Sequence, residues 1–492
     1  MQYKYLALSV TTVGTLMAGV DARIVLVGLP TIAQQLHAGV ADVIWVSQAY
    51  LFASTIGLLL IGRTTDLVGR AKIYNYGFVV FTIGSGFAAL SFTPFELIAS
   101  RMVQGVGAAM LIANSAAILT DATPRNELGK ILGINGISYR IGSMMGLTLS
   151  GVILSLANWR ALFYINIPIG IFGTVWAHYR LKDFAKNEEH RRMDWVGYIL
   201  FSSGLGLLLL SITYLGFGLS GYTYGFLMLG TGAVLIVAFV RYELGFPRNG
   251  LREKPILDMN LFKIKAFAAG SLVQMINGIA WSGILIMVSF YLQVIVGDSP
   301  FETGIHLLAL DSTFIVIGPL CGRLSDKYGS RRFIIAGLAL SSLAFFLFAF
   351  VNTQTNLSVV LIALAVLGAG TGLWVSPNIS SIMGSVPANR RGIASAFRIT
   401  LSNIGDTASF GLAVLIMTLV IPYGALNSLV LGYTLPGQIA IGKQEFIMGF
   451  QLAALVLAAI NTVAIIPATF TRNKPASFEK VGTKISRIGE FE

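Results

Sequence analysis

Seven ionisable side chains interrupt the apolar stretches of this 492-residue sequence. A charge inside a membrane-length apolar segment costs about 2.5–3.5 kcal/mol on insertion scales, so such a residue usually faces a partner or a water-filled cavity. The chemistry open to them is proton exchange or charged-ligand binding; a fixed ion pair is the structural alternative. They are Asp21, Arg23, Arg101, Arg140, Asp311, Arg398 and Asp406.

The segments that must position these residues are apolar helices. The chain is 55% hydrophobic and 11% charged, and its apolar residues form continuous stretches of roughly 20, the length that spans a bilayer as a helix. Strands of a membrane barrel would alternate instead. We predict an all-α polytopic membrane protein with fourteen spans, at 5–29, 42–62, 72–92, 95–120, 128–156, 160–179, 194–214, 221–241, 265–296, 302–322, 332–351, 356–383, 391–421 and 443–468.

The basic residues indicate how these spans are oriented. Of 34 lysines and arginines, 28 lie in every second loop or in the terminal segments, whereas the opposite loops hold only Arg160 and Lys443. The positive-inside rule then places the basic loops and both termini in the cytoplasm. The net charge of +12 therefore reflects topology and contact with anionic lipids, and we expect no nucleic-acid partner.

A charged turn occurs twice in the chain. GRTTDLVGRAK at 62–72 returns 260 residues later as GRLSDKYGSRR at 322–332, and residues 104–129 parallel residues 367–392 at a similar offset. Two repeats in the same order indicate duplicated halves, an architecture of secondary transporters with a midplane site. We predict an N-terminal six-helix bundle at 1–182, a two-helix insertion with cytoplasmic flanks at 183–262, a C-terminal six-helix bundle at 263–470 and a cytoplasmic tail at 471–492.

Five motifs in this order along the chain resemble those of one family. They are DARIVLVGLP at 21–30, the turn at 62–72, RMVQGVGAA at 101–109, NWRALFYINIPIG at 158–170 and YLQVIVGDSPFETG at 291–304. The chain thus resembles the major facilitator superfamily, in its fourteen-helix drug:proton antiporter branch, over about residues 5–470. The resemblance implies two six-helix bundles plus two additional helices, in a prokaryotic plasma (inner) membrane.

One motif departs from the family's pattern. Antiporters of this family usually carry Gly-x-x-x-Gly-Pro-x-x-Gly-Gly on helix 5, and here the segment at 142–151 reads GSMMGLTLSG. Leu147 replaces the proline and Ser150 replaces a glycine. The departure therefore bears on whether the protein is an antiporter and on which class of substrate it takes, and it leaves the fold prediction unchanged.

The resemblance and the depth of the charges suggest specific roles. Asp21 and Arg101 lie at comparable depth on helices that line the family's central cavity, so we predict a shared site in which the proton affinity of the carboxylate changes as the cavity opens and closes. Asp406 is a further proton-coupling candidate. Arg23 is predicted to point away and extend outward.

We place the substrate cavity on side chains near the middle of the spans. Arg140 and Asp311 are both near the midplane and are predicted to form an ion pair between the halves, either permanent or rearranged during transport. Each aromatic or amide candidate, taken singly, could instead face lipid or pack in the core without contacting a substrate. The cavity candidates are Arg140, Gln274, Asn277, Trp281, Tyr291, Asp311, Trp374, Asn378 and Arg398.

The repeated turns are predicted to latch the two halves together. The resemblance implies that Asp66 meets the N-terminus of the span beginning near Arg391, where a carboxylate is favoured by about 0.3–1 kcal/mol. The second turn keeps an aspartate and is expected to be the weaker latch. The alternative is that both turns only anchor the orientation of the helices in the membrane. The latch residues are Gly62, Asp66, Gly69, Arg70 and Asp326.

Three functions remain open at this stage. The first is a secondary active exporter of hydrophobic or amphipathic small molecules, driven by protons. The second is a transporter of an endogenous anionic metabolite or lipid, which the embedded arginines would suit, and the third is a scaffold on a transporter fold. No Walker loop or catalytic Ser/His/Asp set stands out, so we expect no enzyme activity. The single cysteine excludes a multi-cysteine metal site, and we expect a monomer without metal or cofactor.

Overall fold

The computed structural model is built of helices. It describes residues 2–124, 127–183, 194–217, 219–245, 259–387, 391–431 and 438–471, without the side-chain surroundings of some helix residues, among them Gly62, Asp66 and Arg140. No strand occurs in these ranges. The predicted tail from 472 onward and most of the flanks of the insertion lie outside the described residues.

The described residues form seventeen α-helices, a 3₁₀ turn at Met259–Lys263 and a π-helical turn at Tyr291–Val296. In chain order the α-helices are α1 Tyr3–Leu36, α2 Val40–Val68, α3 Arg70–Ala89, α4 Pro94–Ala122, α5 Leu128–Leu156, α6 Ala161–Tyr164, α7 Asn166–Arg180, α8 Trp195–Leu215, α9 Leu219–Gly245, α10 Lys265–Phe290, α11 Pro300–Tyr328, α12 Ser330–Phe348, α13 Leu357–Ser385, α14 Arg391–Thr418, α15 Tyr423–Leu431, α16 Gln438–Val463 and α17 Ile465–Ala468.

These helices account for the fourteen predicted spans. In the part of the chain that the structure describes, thirteen helical segments are long and apolar enough to cross a membrane. The remaining long helix, α3, lies between two of them and packs along α4 and α7, so it completes the fourteen. Two spans are broken at prolines: Pro168 and Pro467 lack the N–H that would bond to the carbonyls of Tyr164 and Val463, where α6 and α16 end.

The long helices other than α8 and α9 pack as two bundles. In the first, α1 packs on α5, α2 and α3 pack on α4, and α7 packs on α3; in the second, α11 and α12 pack on α13 while α10 packs on α14 and α16. The bundles meet along two seams, α5 with α11 and α2 with α14. The division at residues 182 and 262 stays a prediction.

The repeated turns have the same backbone geometry in both bundles. Gly69 separates α2 from α3 with φ 108° and ψ 139°, and Gly329 separates α11 from α12 with φ 90° and ψ 145°. Each glycine donates its backbone N–H to the carbonyl four residues earlier, in Thr65 and Ser325. A positive φ of this size favours glycine, so these positions of the repeat are needed for the turn itself. We call the end of the molecule that carries both turns the basic face, and the opposite end the distal face.

The α8–α9 hairpin covers one of the two seams. On the α2 side, the Trp45 indole Nε1 donates to Thr213 Oγ1 at 3.2 Å. On the α14 side, α8 residues share an apolar cluster with Phe397. The hairpin therefore contacts both bundles at the α2–α14 seam.

One apolar core closes the distal face. It joins residues of both bundles, from Val20 to Leu36 on α1 and from Ala280 to Phe290 on α10, with the distal part of α14. Toward the basic face, the clusters around Tyr74 and Trp374 each belong to a single bundle. The described conformation is thus sealed at its distal end.

Helix α15 caps this sealed end. Val40 N donates to Asn427 Oδ1 at 2.9 Å, and Ala41 N donates to the Tyr423 hydroxyl at 3.3 Å, so α15 satisfies N–H groups of the first turn of α2. Burial raises the pKa of the Tyr423 phenol, the hydrogen bond from the Ala41 N–H lowers it, and the nearby Asp42 carboxylate raises it.

The turn geometry predicts that Gly69→Ala lowers the free energy of unfolding by about 1–3 kcal/mol, because alanine is strained at this φ and its methyl group would also collide with the Asp183 carboxylate. Thermal unfolding of the purified protein in detergent measures the change. The control is Gly86→Ala within α3, where the added methyl group meets no atom within 4 Å. Equal stability of the two variants would contradict the prediction.

Candidate functional site

A fully buried carboxylate lies in the middle of α1. Asp21 has an exposed fraction of 0%. Its Oδ2 accepts from Arg101 Nη1 at 2.6 Å, and its Oδ1 accepts from Asn166 Nδ2 at 2.9 Å and from Gln104 Nε2 at 3.3 Å. Three donors from α4 and α7 thus converge on this carboxylate.

Arg101 is held as firmly as its partner. Nη1 also donates to Gln104 Oε1 at 2.7 Å, and Nε donates to the Val46 carbonyl at 3.2 Å. The guanidinium lies 4.5 Å from the centroid of the Tyr50 ring. Gln104 is one helical turn from Arg101, on the same face of α4, which explains the spacing within RMVQG.

This arrangement suits a site that exchanges a proton. A buried ion pair is maintained only when further hydrogen bonds satisfy both partners, and both have them here. Protonation of Asp21 would remove the charge that Arg101 balances, so the hydrogen bonds among α1, α4 and α7 would have to rearrange. The predicted contact of Asp21 with Arg101 is present; the proton-coupling role assigned to it stays a prediction.

A second buried ion pair joins the two bundles. Arg23 Nη1 lies 2.8 Å from Asp311 Oδ2, and the two side chains are 8% and 5% exposed. The Arg23 guanidinium also lies 4.7 Å from the centroid of the Trp281 ring. The prediction that Arg23 extends outward is wrong, because it points into the other bundle and finds a carboxylate there.

The predicted inter-bundle pairing of Asp311 therefore has a different partner among the described side chains. The partner that the structure describes for Asp311 is Arg23, and the pairing with Arg140 stays a prediction. The Arg140 side chain lies outside the described part of the chain. Depth along the helices matched Arg140 to Asp311, but depth leaves the direction of each side chain around its helix undetermined.

Polar side chains follow the contact between α10 and α14. Ser282 Oγ donates to Asp406 Oδ1 at 2.7 Å, and Gln274 Nε2 donates to Ser402 Oγ at 3.0 Å. Gln274, Ser402, Asp406 and Arg398 are only partly buried, whereas Ser282 is buried. The structure thus brings Gln274, Asp406 and Arg398 together along one pair of helices, on the basic-face side of the distal core.

Four predicted cavity residues are buried within the C-terminal bundle. Asn277 donates to Asn461 Oδ1 at 2.7 Å, Asn378 donates to the Gly270 carbonyl at 3.0 Å, and the Tyr291 hydroxyl donates to the Asn352 carbonyl at 2.9 Å. Trp374 is 1% exposed in an apolar cluster. In this conformation all four serve packing, and contact with a substrate would require repacking.

The basic-face turns make contacts within their own bundles. The Arg70 guanidinium donates to the Asp121 carboxylate at 2.7 Å, between α3 and α4. Asp326 is exposed and accepts from Ser380 Oγ at 3.3 Å. The surroundings of Gly62 and Asp66 lie outside the described residues, so the latch between the bundles stays a prediction.

No cluster of three or more His, Cys, Asp or Glu side chains that could hold a metal occurs in the described ranges. Cys321 is buried. The buried charged groups of the described ranges include the carboxylates and guanidinium groups of the two ion pairs, Asp21–Arg101 and Arg23–Asp311.

The Asp21–Arg101 pair predicts a large stability effect. Arg101→Met should lower the free energy of unfolding by about 3–5 kcal/mol, because it leaves a buried carboxylate without its cation. The double variant Asp21→Asn/Arg101→Met should recover part of that loss, since no unpaired charge remains. Thermal unfolding in detergent compares both variants with the control Arg160→Met, which changes a partly exposed arginine. An unfolding temperature of Arg101→Met that is no lower than that of the control would contradict the prediction.

Comparison with known proteins agrees with this architecture. The family model described as Major Facilitator Superfamily matches residues 11–410 and 271–483. The riboflavin transporter RibZ of Clostridioides difficile (strain 630) is 30% identical over 404 residues, which cover 82% of this chain and 86% of the relative. The tetracenomycin C resistance and export protein of Streptomyces glaucescens is 26% identical over 495 residues, covering 94% and 90%.

Another relative and one solved structure agree with these matches. The multidrug resistance protein Stp of Mycobacterium tuberculosis (strain CDC 1551 / Oshkosh) is 29% identical over 82% of this chain and 74% of its own length. The crystal structure of a D-xylose-proton symporter superposes over 94% of this chain and 97% of its own with a TM-score of 0.64 at 14% identity, which shows a common fold. The two helical bundles, the repeated turns and these matches establish that the chain belongs to the Major Facilitator Superfamily and is an integral membrane transporter rather than an enzyme.

Proposed function

We propose that this protein exports hydrophobic or amphipathic small molecules by alternating access, coupled to proton influx. The observation that carries the proposal is the buried Asp21 carboxylate, held by Arg101, Gln104 and Asn166. A carboxylate sealed from the cavity by three protein donors cannot contact a substrate directly. Its remaining chemistry is to gain and lose a proton when a conformational change admits water.

The cycle follows from the two states that Asp21 would adopt. In the described conformation the distal end is sealed and the Asp21–Arg101 contact of 2.6 Å suits an ionised carboxylate. Opening of the distal side would hydrate Asp21 and allow it to take a proton. Return to the present conformation would restore the contact with Arg101 and expel the proton toward the basic face.

The orientation of the protein in the membrane gives this cycle its direction. The positive-inside rule supports a cytoplasmic location of the basic face and of both termini, and the bacterial relatives suit a prokaryotic plasma membrane. Protons would then enter from outside as substrate leaves. The working unit would be a monomer in contact with membrane lipids, without nucleic acid.

The substrate cavity is assigned to the partly buried polar residues of α10 and α14. Gln274, Asp406 and Arg398 offer both signs of charge and an amide, and Trp281 of α10 adds an aromatic ring, a combination that suits amphipathic molecules. Three relatives are named as a multidrug resistance protein, a tetracenomycin C resistance and export protein, and a multidrug transporter. These similarities support an exporter.

A second candidate function is transport of an endogenous anionic metabolite or lipid, coupled to protons or not. It is favoured by Arg398, an embedded arginine that is only partly buried, and by a relative whose name assigns it to riboflavin. The two candidates differ in the substrates that would move protons.

Proton coupling predicts the behaviour of Asp21→Asn in liposomes. With an imposed pH gradient, a cationic dye should dissipate the gradient through the wild-type protein, and Asp21→Asn should reduce this flux to the level of empty liposomes because it cannot carry the proton. Fluorescence of an internal pH indicator measures the flux. Glu445→Gln, a matched carboxylate-to-amide change on α16, is expected to retain it.

Two outcomes of this experiment would contradict parts of the proposal. Dye-driven proton flux that persists in Asp21→Asn would remove Asp21 from the coupling mechanism. Proton flux that is absent with dyes and present with riboflavin or an anionic lipid would favour the second candidate function.

The proposed latch predicts a difference between the two repeated aspartates. Asp66→Asn should slow dye export without loss of expression, because the carboxylate would no longer favour the α14 N-terminus by the expected 0.3–1 kcal/mol or so. The second turn has Ser330 where the first turn has Arg70. Asp326→Asn should therefore slow export less than Asp66→Asn. Initial transport rates at matched protein amounts measure both, and unchanged transport in Asp66→Asn would leave the turn only its topological role.

A further inference from the structure

We propose that Arg23, Asp311 and Trp281 form an inter-bundle lock that keeps the distal side closed, and that Arg23 is the positioning residue through which α1 opens it. The proposal rests on the alternating-access function proposed above and adds the element that controls it. It begins from the 2.8 Å contact of Arg23 Nη1 with Asp311 Oδ2 and the 4.7 Å stacking of the guanidinium on Trp281.

The three side chains lie where the sealed core ends. The core residues of α1 begin at Val20 and those of α10 at Ala280, and on α11 they end at Leu310, directly before Asp311. The lock therefore lies at the basic-face end of the apolar distal core, at the level where Ser282 of α10 contacts Asp406 of α14. Gln274 and Arg398 lie closer to the basic face, and a path from them to the distal side passes this level.

The contacts join elements that must separate when the distal side opens. Arg23 is on α1 of the N-terminal bundle, and its two partners are on α10 and α11 of the C-terminal bundle. Farther toward the distal face, Gln293 Nε2 donates to the Val27 carbonyl at 3.1 Å. Separation of the bundles would break this ion pair. In the closed arrangement both charges are buried and each depends on the other, so removal of either partner would leave an unpaired buried charge.

Helix α1 connects this lock to the proton site. Asp21 and Arg23 are two residues apart, so their side chains leave the helix about 200° apart. Asp21 points to α4 and α7 within its own bundle, whereas Arg23 points into the other bundle. A rotation or shift of α1 that follows protonation of Asp21 would therefore pull Arg23 away from Asp311 and Trp281.

The lock can be tested without any substrate, by the distance between the distal ends of the bundles. Leu156 at the end of α5 and Phe350 after α12 are 82% and 63% exposed, so both accept spin labels as cysteine variants in a Cys321→Ser background. Double electron–electron resonance on the reconstituted protein then reports the closed and open populations. Arg23→Met and Asp311→Asn should each raise the open population at least about tenfold, since each leaves a buried charge unpaired.

Matched variants separate a lock from general damage to the fold. The charge swap Arg23→Asp/Asp311→Arg should restore the short distance, and Arg160→Met, whose contacts lie within its own bundle, should leave it unchanged. Trp281→Leu should produce a smaller opening than Asp311→Asn. Thermal unfolding shows which variants are folded.

An unchanged distance distribution in folded Arg23→Met and Asp311→Asn would overturn the lock. A shift that the charge swap fails to restore would also overturn it, because pairing would not be its cause. The distance measurement is independent of transport: if Asp21→Asn keeps full proton coupling while the lock variants open, the proposed proton site fails and the lock stands.

Discussion

A carboxylate in the middle of a membrane bundle has no water to solvate it, and the architecture around α1 follows from that constraint. Asp21 is ionisable and fully buried, so donors have to come from the protein. Arg101, Gln104 and Asn166 supply them from α4 and α7. The N-terminal bundle is thereby held around a charge whose state can change, and a change in that charge is felt by three helices at once.

The second consequence lies on the other side of α1. The Arg23 side chain leaves the same helix in nearly the opposite direction and ends at Asp311 in the partner bundle. One short segment thus connects the inside of one bundle with the interface between bundles. The distal core packs beyond this interface, and its burial of apolar residues from both bundles makes closure favourable until the charges beneath it are disturbed.

Much of the fold and part of the site could be predicted from the sequence. What could not be predicted depends on the direction of side chains around their helices and on tertiary packing. Length, hydropathy and the repeat predict the spans and the paired glycine turns, because these depend on local composition and backbone geometry. Depth along the helices brings Asp21 to Arg101, but it says nothing about rotation around a helix, so the prediction that Arg23 extends outward was wrong. For Trp374 and Asn378 on α13, the helix is apolar on all sides, and no polar face indicates which residues turn inward. Helix α15 is short and uncharged, and its contacts with α2 depend on tertiary packing.

The central claim is that Asp21 itself exchanges a proton. Infrared difference spectroscopy of the reconstituted protein across a pH titration tests it directly, because a protonated carboxylic acid has a C=O stretching band that a carboxylate lacks. We expect a titrating band that disappears in Asp21→Asn and remains in Glu445→Gln. Identical difference spectra for the wild-type protein and Asp21→Asn, over the pH range in which transport is coupled, would contradict it.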